Sequence, residues 1–251
     1  MTTTDQHRPI QLQPTDVERY RRDGYLLPSG DVLPPPTFGW LTETFEGLLE
    51  RYGPDGLDTI HFRHPELLDV LLSDSVLDLV EPLVGPDIGL WSSHFICKEP
   101  GTGKATPWHE DGAYWDGRIS TMQGIVTVWL ALDPVDAGNG AMQVLPGTHH
   151  GSEGRSYEQV DPARNIFDRE LSPEHVDEGA AVTFELAPNQ CSLHDARIIH
   201  GAPANTSGRR RAGYTMRYFP TTSRIVPERN EGHRVWLARG VDRAGNHYED
   251  A

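Results

Sequence analysis

The sequence predicts an α+β fold in which helices come first and a β-sandwich or barrel follows. Helical periodicity dominates residues 14–84, whereas short apolar strands separated by turn residues follow from 88 to 220. The 25 glycines and 20 prolines among the 251 residues favour many turns over long helices. Runs of helices and runs of strands in separate parts of a chain are typical of this fold class. The length fits one domain spanning residues 1–251.

The first predicted helix follows a flexible polar lead at residues 1–13. Residues 15–18 (TDVE) form a capping box, in which a hydroxyl side chain and an acidic side chain satisfy free amides, so the helix is expected to begin at Thr15. Gly24 is expected to end it, because glycine tolerates the left-handed backbone that closes a helix.

Two further helical regions complete the mainly helical part of the chain, residues 14–84. A helix over 37–52 is predicted by an apolar stripe at helical spacing. The stripe consists of Leu41, Phe45, Leu48, Leu49 and Tyr52. Residues 65–84 predict a third helical region, which Ser73 and Pro82 are expected to interrupt.

Short strands make up the β core predicted over residues 88–220. The predicted strands cover residues 88–98, 125–132, 141–145, 181–186, 190–193, 198–200 and 213–219. The polar segment 149–179 does not fit this strand spacing. Because loops of this length are usually functional or disordered, a lid over an active site and a solvated insertion both explain it. Residues 221–251 form a C-terminal extension.

Composition excludes several classes of partner. The formal net charge of −15 repels phosphate backbones, and no stretch of 18 apolar residues could span a membrane. Cys97 and Cys191 form neither a disulfide framework nor a zinc cluster, and both are expected to be buried in a reducing compartment. The N-terminus lacks the apolar core of a signal peptide, so a cytoplasmic protein that acts on a small molecule is expected.

A candidate metal site begins within residues 107–115 (PWHEDGAYW). His109 and Asp111 are two residues apart, and on a strand such residues share a face and reach one metal. His200 supplies a second imidazole later in the chain. Two imidazoles and one carboxylate with open coordination positions are the ligand set of mononuclear non-haem Fe(II) oxygenases. Each of these residues alone is commonly structural, so the hypothesis depends on all three.

Other histidines are expected to have structural positions. His94 and His194 lie on predicted strands, as core residues or as neighbours of the metal ligands. His149 belongs to a turn, and His150 and His175 are expected to be exposed in or beside the insertion.

Four segments together resemble the phytanoyl-CoA dioxygenase (PhyH-like) family of Fe(II)- and 2-oxoglutarate-dependent oxygenases. They follow the family's order and are residues 23–25 (DGY), 107–115 (PWHEDGAYW), 140–149 (GAMQVLPGTH) and 200–205 (HGAPAN). The resemblance covers most of the chain. It implies a double-stranded β-helix, the jelly-roll or cupin-like form of β architecture, with the N-terminal helices packed outside.

The resemblance implies that His109, Asp111 and His200 bind Fe(II). Asp111 rather than Glu110 is expected to be the ligand, because only the i+2 position shares the strand face with His109. Glu110 then points away and has a structural role. Related halogenases replace the carboxylate ligand with a small residue, so the presence of Asp111 favours hydroxylation or another oxidation over halogenation.

The distal carboxylate of 2-oxoglutarate needs a cation, and arginine is suited because its fork binds a carboxylate bidentately. Arg209, Arg210 and Arg211 all follow the second histidine and compete for this role. The family spacing of eleven residues after His200 selects Arg211, with Arg210 as the nearest rival.

Two further cosubstrate contacts are implied by the resemblance: Lys98, on the strand before the metal segment, and Trp129, on the central strand. The family often has a small hydroxyl residue two positions after the second histidine, where this chain has Ala202. One hydrogen bond to the cosubstrate is therefore missing, or a neighbour such as Thr127 supplies it.

Four residues are candidate substrate contacts. Tyr114 and Trp115 follow the metal segment, where they form either an aromatic wall over the metal or part of the packing of the barrel rim. Met142 and Gln143 lie on a strand near the pocket, and strand alternation turns one of them inward.

The resemblance implies that the chain uses Fe(II), 2-oxoglutarate and O2 to hydroxylate a small molecule, with release of succinate and CO2. The expected substrate is an intermediate of secondary metabolism or an amino-acid-like compound. Desaturation, epimerisation and cyclisation at the same site are alternatives. A non-catalytic jelly-roll protein that binds a metal or ligand is the alternative from another class.

Overall fold

The computed structural model describes residues 7–151 and 154–251, in which helices pack on antiparallel sheets. The helices of this part of the chain are α1 (Pro14–Asp23), α2 (Pro35–Tyr52), α3 (Leu68–Leu71), α4 (Asp74–Val84) and α5 (Gly112–Trp115). None of the described helices is long and apolar enough to cross a membrane. The α+β architecture agrees with the fold class that the sequence predicts.

Two sheets and a separate hairpin contain the strands of the described residues. The strands are β1 (Tyr25–Leu26), β2 (Ile88–Lys98), β3 (Thr106–His109), β4 (Val126–Ala131), β5 (Gln143–Val144), β6 (Tyr157–Gln159), β7 (Arg169–Leu171), β8 (Val182–Thr183), β9 (Cys191–Asp195), β10 (His200–Ala202), β11 (Arg211–Pro220) and β12 (Trp236–Arg239). One sheet has the order β1-β9-β4-β11-β2-β12, and the other has the order β3-β10-β5-β8. Strands β6 and β7 pair only with each other.

The helix predictions hold with three corrections. Helix α1 begins at Pro14, where the backbone amide of Gln13 donates to the carboxylate of Asp16 over 3.0 Å, so the predicted box at 15–18 is wrong by two residues. Gly24 ends α1 as predicted, with φ of +80°. Pro82 does not interrupt α4, because the apolar face of this helix is buried and compensates for one lost hydrogen bond.

The third correction concerns the lead before α1. Residues 1–6 lie outside the described part, and within 7–13 the side chains of Ile10 and Leu12 pack against the apolar core. These residues are therefore not a loose lead. The break that Ser73 predicts is present, because α3 ends at Leu71 and α4 begins at Asp74.

Long strands were predicted better than short ones. Strands β2 and β4 match the predicted segments within one residue at each end. The prediction that a strand ends at His200 is wrong, because β10 begins there. Residues 149–179 are not irregular throughout, since β6 and β7 form a hairpin inside this segment. Cys191 is buried as predicted, but Cys97 is only half-buried.

The six-stranded sheet has one face against the helices and the other toward a cavity. The helix-side face contributes to one large apolar cluster that includes Leu41 and Phe45 of α2. Opposite Arg217 of β11, strand β2 contains one extra residue, Trp91, because Arg217 pairs with Ser92 and the next residue pairs with Leu90. This β-bulge changes which side chains of β2 face the cavity.

Candidate metal centre

Two neighbouring strands bring the two predicted histidine ligands together. His109 is the last residue of β3, His200 is the first residue of β10, and the two are direct antiparallel partners. Their rings lie 4.1 Å apart between centroids. One ligand atom from each histidine and one from Asp111 lie within 4.8 Å of one another, and all three residues are buried. The three side chains therefore form a cluster that could hold one metal ion.

Asp111 reaches this cluster by a different route from the predicted one. Strand β3 ends at His109, and Asp111 has helical backbone angles of φ −53° and ψ −41° at the start of α5. Strand alternation is therefore the wrong reason for its position, and a tight turn after β3 is the observed one. Glu110 points away from the cluster as expected and forms a buried ion pair with Arg155. Burial raises the pKa of Glu110 despite this pair.

Backbone carbonyls orient both imidazoles. The Nδ1 atom of His109 lies 2.8 Å from the carbonyl oxygen of Pro107, and that of His200 lies 3.0 Å from the carbonyl oxygen of Ile198. Because a carbonyl only accepts, each Nδ1 carries the hydrogen, which leaves the Nε2 lone pair free to bind a metal. Burial and the neighbouring His109 lower the pKa of His200 well below its usual value, so it stays neutral.

The two carboxylate oxygens of Asp111 have different surroundings. Oδ1 lies 3.8 Å from Nε2 of His109, on the side of the ligand cluster. Oδ2 accepts a hydrogen bond from Oγ1 of Thr127 at 3.2 Å and lies 3.6 Å from Nε of Arg217 and 3.9 Å from Nε2 of His194. Although burial opposes it, Arg217 and the two histidines hold the pKa of Asp111 well below its usual range. The carboxylate is therefore ionised and able to bind a cation.

The metal cluster opens into a cavity of about 240 Å³ that also contains Arg211 and Trp129. The side chain of Arg211 is almost fully buried, and its Nε has no hydrogen-bond partner among the described residues. Its guanidinium carbon lies 4.6 Å from the centre of the Trp129 ring. Gly213 makes this arrangement possible, because a Cβ atom there would overlap the Trp129 ring. Burial lowers the pKa of Arg211 to about 10, which still leaves it charged at neutral pH.

The rival arginines are engaged elsewhere. Arg209 pairs with Asp136 on the surface at 2.6 Å, and Arg210 bridges Asp133 and Glu46. Arg211 therefore differs from both, since it projects an unpaired cation into the metal cavity. An unpaired buried cation beside a metal cluster suits an anionic ligand such as the distal carboxylate of 2-oxoglutarate.

Lys98 lies outside the lining of this cavity. Its Nζ donates to the carbonyl oxygens of Ala202 and Pro203 at 3.1 and 2.7 Å. Burial and the charge of Arg211 lower the pKa of Lys98 to about 6. The structure thus places Lys98 where it supports the backbone after His200. Ala202 itself lines the cavity and offers no hydroxyl.

The substrate candidates divide between two cavities. Met142 lines the metal cavity, whereas Gln143 turns away and donates to Thr183 at 3.1 Å, which resolves the alternation left open by the sequence. Tyr114 and Trp115 line a second cavity of about 390 Å³. Trp115 also packs edge-on against Trp91. It therefore both lines a cavity and takes part in aromatic packing, the two positions expected for it.

The second cavity shares His94, Asp111, Phe167 and Arg217 with the metal cavity, so the two spaces meet at the carboxylate ligand. Sequence reasoning missed Phe167 and Arg217. Phe167 lies in the connection between β6 and β7, with its ring 5.0 Å from that of His109. Arg217 could have been found by alternation, because it lies six residues after Arg211 on the same strand and therefore on the same face.

The histidines predicted to lie near the ligands do so. His94 is half-buried and lines both cavities. His194 is buried, and its ring lies 4.9 Å from that of His200. Neither belongs to the ligand cluster.

The other three histidines with predicted positions lie outside the ligand cluster. His149 is buried and bonds to the carbonyl oxygen of Arg21 through Nε2 at 3.0 Å. His150 is exposed as predicted. The prediction that His175 is exposed is wrong, because it is half-buried and accepts a hydrogen bond from the amide of Ser156 over 3.1 Å.

The buried cluster of two imidazoles and one carboxylate matches the ligand set of mononuclear non-haem metal proteins. Residues 20–213 match the sequence profile of the family described as phytanoyl-CoA dioxygenase (PhyH). The match covers most of the chain, and the chain belongs to this family. The metal and cosubstrate that fit its site are Fe(II) and 2-oxoglutarate.

Two curated relatives and one solved structure resemble the chain. The chain is 32% identical over 146 residues to the peroxisomal phytanoyl-CoA dioxygenase of Bos taurus, which covers 57% of this chain and 42% of the relative, less than half of its length. It is 27% identical over 235 residues to the L-proline trans-4-hydroxylase of Streptomyces griseoviridis, covering 82% and 85% of the two chains. The solved structure of the non-heme monooxygenase ThoJ superposes with a TM-score of 0.75 at 24% identity, covering 93% of this chain and 87% of that one.

Proposed function

We propose that this chain is an Fe(II)- and 2-oxoglutarate-dependent dioxygenase that hydroxylates a small molecule and releases succinate and CO2. One observation carries the proposal: the buried cluster of His109, Asp111 and His200 opens into the cavity that contains the unpaired Arg211. A metal site and an anion site in one cavity suit a cosubstrate that binds the metal at one end and a cation at the other. Membership of the phytanoyl-CoA dioxygenase family supports the same reading.

The fold proposed for this activity is a double-stranded β-helix of the jelly-roll, cupin-like type, with the N-terminal helices outside. The strand orders β9-β4-β11-β2 and β3-β10-β5-β8 support it, because the strands from β2 to β5, and again those from β8 to β11, alternate between the two sheets along the chain. We treat residues 1–251 as one catalytic domain in which 221–251 extend the core. His233, from this extension, lines the second cavity.

His109, Asp111 and His200 are the proposed iron ligands, and Arg211 stacked on Trp129 is the proposed partner of the distal carboxylate of 2-oxoglutarate. Bound iron supplies the chemistry of dioxygen activation. The chain orients the imidazoles through backbone carbonyls, keeps Asp111 ionised and buries the whole cluster away from bulk water.

The segment 149–179 is proposed as a lid over this site. Ile166 and Phe167 line the metal cavity from the tip of the β6–β7 hairpin. Glu170 of β7 accepts a hydrogen bond from the amide of Trp108 at 3.0 Å, which attaches the hairpin to the strand that ends at His109. The hairpin therefore contributes to the wall of the cavity and also contacts the ligand strand, as a lid would.

Desaturation, epimerisation and cyclisation remain alternatives at the same site, because the outcome depends on which substrate bond lies next to the metal. The likeness to an L-proline hydroxylase supports a free small molecule as substrate. A cytoplasmic location and the absence of nucleic-acid binding stay predictions from composition.

The test is succinate formation from 2-oxoglutarate in the presence of Fe(II), together with the amount of iron bound per chain. We expect His109→Ala and Asp111→Ala to reduce iron affinity by more than about 100-fold and to abolish succinate formation, with the circular dichroism spectrum unchanged. Asp116→Ala removes an exposed carboxylate close in sequence and serves as the control that keeps both properties.

Two results would contradict the proposal. Retained activity in both ligand variants would remove the metal assignment. A wild-type protein that binds neither iron nor 2-oxoglutarate would favour the non-catalytic ligand-binding protein instead.

A further inference from the structure

Arg217 has hydrogen-bonding capacity that the proposed cofactor and cosubstrate do not use. It lies on the inner face of β11, lines both cavities, and stacks over Trp115 with its guanidinium carbon 5.4 Å from the ring centre. Its side chain is only 12% exposed. Its Nε atom has no hydrogen-bond partner among the described residues, and its nearest carboxylate oxygen is Oδ2 of Asp111 at 3.6 Å.

The charges around Arg217 do not balance once the site is loaded. Fe(II) brings two positive charges and Arg211 and Arg217 bring one each, whereas Asp111 and the two carboxylates of 2-oxoglutarate bring three negative charges in all. Of the other charged side chains that line the two cavities, Asp55 and Asp58 are exposed to solvent and Arg118 is half-buried, so this balance counts the buried groups alone. One positive charge therefore remains, and in a largely buried site an uncompensated charge is costly.

The remaining positive charge and the free space lie in the same place. Arg217 and Asp111 line the second cavity and Arg211 does not, so a ligand there would contact Arg217 and leave the cosubstrate arginine free. Its walls include the aromatic rings of Tyr114, Trp115 and Phe167. A cation beside apolar aromatic walls suits a compact organic anion.

We propose that Arg217 binds a carboxylate of the substrate in the second cavity, which makes small carboxylic acids, amino acids among them, the substrate class. This inference rests on the proposed function, because the charge balance assumes Fe(II) and 2-oxoglutarate. A single guanidinium matches a carboxylate of one charge through its two parallel donors. Phosphate esters carry more charge than this one arginine supplies. Held by Arg217, the substrate places its carbon skeleton between the aromatic walls and next to the metal ligands.

The test measures binding without turnover, in protein loaded with Fe(II) and saturating 2-oxoglutarate in the absence of dioxygen, so that Arg211 is already occupied. Each acid of a small panel is titrated against its neutral or amide partner by calorimetry and thermal shift: L-proline with L-prolinamide, benzoate with benzamide, hexanoate with hexanamide. Inorganic phosphate forms a separate arm. We expect at least one acid to bind more than about 10-fold tighter than its amide.

Variants then locate the binding. We expect Arg217→Gln to weaken binding of that acid by at least about 30-fold, and Arg217→Lys to weaken it less, because lysine keeps the charge but loses the fork. Arg234→Gln makes the same charge change at an exposed arginine that lines neither cavity and should bind like the wild type.

The inference is overturned if no acid binds the wild-type protein, if acids and amides bind equally, or if Arg217→Gln binds like the wild type. Tighter binding of phosphate than of any acid would overturn the carboxylate assignment. Iron and 2-oxoglutarate binding are measured first in each protein. Their absence in the wild type would therefore count against the proposed function, whereas their presence without acid preference counts against this inference alone.

Discussion

The two faces of the six-stranded sheet consist of alternate residues of the same strands, yet they differ in polarity and in hydrogen bonding. On β11 the helix-side residues are apolar or aromatic and lie in the large core cluster: Ala212, Tyr214, Met216 and Tyr218. The alternate residues face the metal cavity: Arg211, Gly213, Thr215 and Arg217. Strand β9 divides in the same way, with Cys191 and Leu193 in the core and His194 in the cavity.

This difference separates stability from function. The buried polar atoms of this sheet that lack hydrogen-bond partners among the described residues belong to the cavity side, and they come from Ser192, His194, Arg211 and Arg217. Such groups destabilise a folded chain unless a ligand satisfies them. The helix-side face offsets this cost through apolar burial, as functional sites in stable folds generally require. Substitutions on the helix side should therefore lower the stability of the fold, whereas substitutions on the cavity side should weaken ligand binding.

The largest expected effect is on stability and comes from the helix-side layer. Phe45 of α2 is fully buried, with its ring 5.3 Å from that of Phe95 of β2. We expect Phe45→Ala to lower the free energy of unfolding by about 3–5 kcal/mol, because it leaves a cavity in the core. Denaturant unfolding measures this loss. Phe38→Ala, at a half-buried position of the same helix, should cost less. If Phe45→Ala folds but its iron affinity falls by more than about 10-fold, the helix side also contributes to metal binding, and the separation of stability from function is wrong.

The second effect is on cosubstrate binding and comes from the cavity side. We expect Arg211→Met to weaken 2-oxoglutarate binding by about 100-fold, or about 3 kcal/mol, since it removes the cation for the distal carboxylate. The free energy of unfolding of the ligand-free protein should not fall, because removing a buried charge without a hydrogen-bond partner offsets the loss of its contact with Trp129. Arg209→Met removes an exposed, surface-paired arginine and should leave 2-oxoglutarate binding unchanged. Equal losses in both variants would contradict the assignment.

The sheet's long strands could be predicted from the sequence because their pattern is local. Strands β2 and β4 contain enough apolar residues to be predicted as strands from their own segments. The predicted segments 141–145 and 181–186 contain β5 and β8, but each of these strands has only two residues. The two-residue strand β1 was not predicted, because it forms by pairing with β9 and has no local pattern of its own.

The metal cluster was predicted from residue types, but the reason given for Asp111 was wrong. Alternation along a strand assumed that β3 continues, whereas a turn places Asp111 beside the histidines. Arg217 was missed for the opposite reason. Alternation along β11 from Arg211 does predict that Arg217 faces the cavity. Its closeness to Asp111 also depends on how the strands pair, which is not visible in the sequence.

The third prediction concerns a polar group on the helix-side face, which tests whether that face contributes only to stability. His61 is buried, and its Nδ1 shares a 2.7 Å hydrogen bond with Ser93, which also accepts from the hydroxyl of Tyr214. Burial, aided by the charge of His233, lowers the pKa of His61 to about 3. The unfolded chain binds a proton below pH 6.5 that the folded chain excludes, so stability falls as the pH drops from 6.5 toward 3.

We expect His61 to account for a loss of about 2 kcal/mol in the free energy of unfolding between pH 6.5 and pH 5. Denaturant unfolding of the metal-free protein at both pH values measures the loss without interference from iron release. Over this interval, His61→Gln should reduce the pH dependence of the free energy of unfolding by an amount equal to nearly one proton. A slope identical to that of the wild type would show that other groups, such as His94 and His233, cause the acid sensitivity.

The smallest effect is the sharpest test of the cavity side. Thr127 of β4 is fully buried and donates through Oγ1 to Oδ2 of Asp111, the oxygen that faces away from His109. This hydrogen bond orients the carboxylate, so Thr127→Val should weaken iron binding by about 10-fold, measured by competition with a chelator. Valine nearly preserves the volume, but it leaves the acceptor of Asp111 with one donor fewer, so the metal-free protein should change in stability by only about 1 kcal/mol. Thr127→Ser keeps the hydroxyl and should keep the iron affinity. If serine and valine weaken iron binding equally, the methyl group and not the hydrogen bond supports Asp111, and packing would matter on the cavity face as it does on the helix-side face.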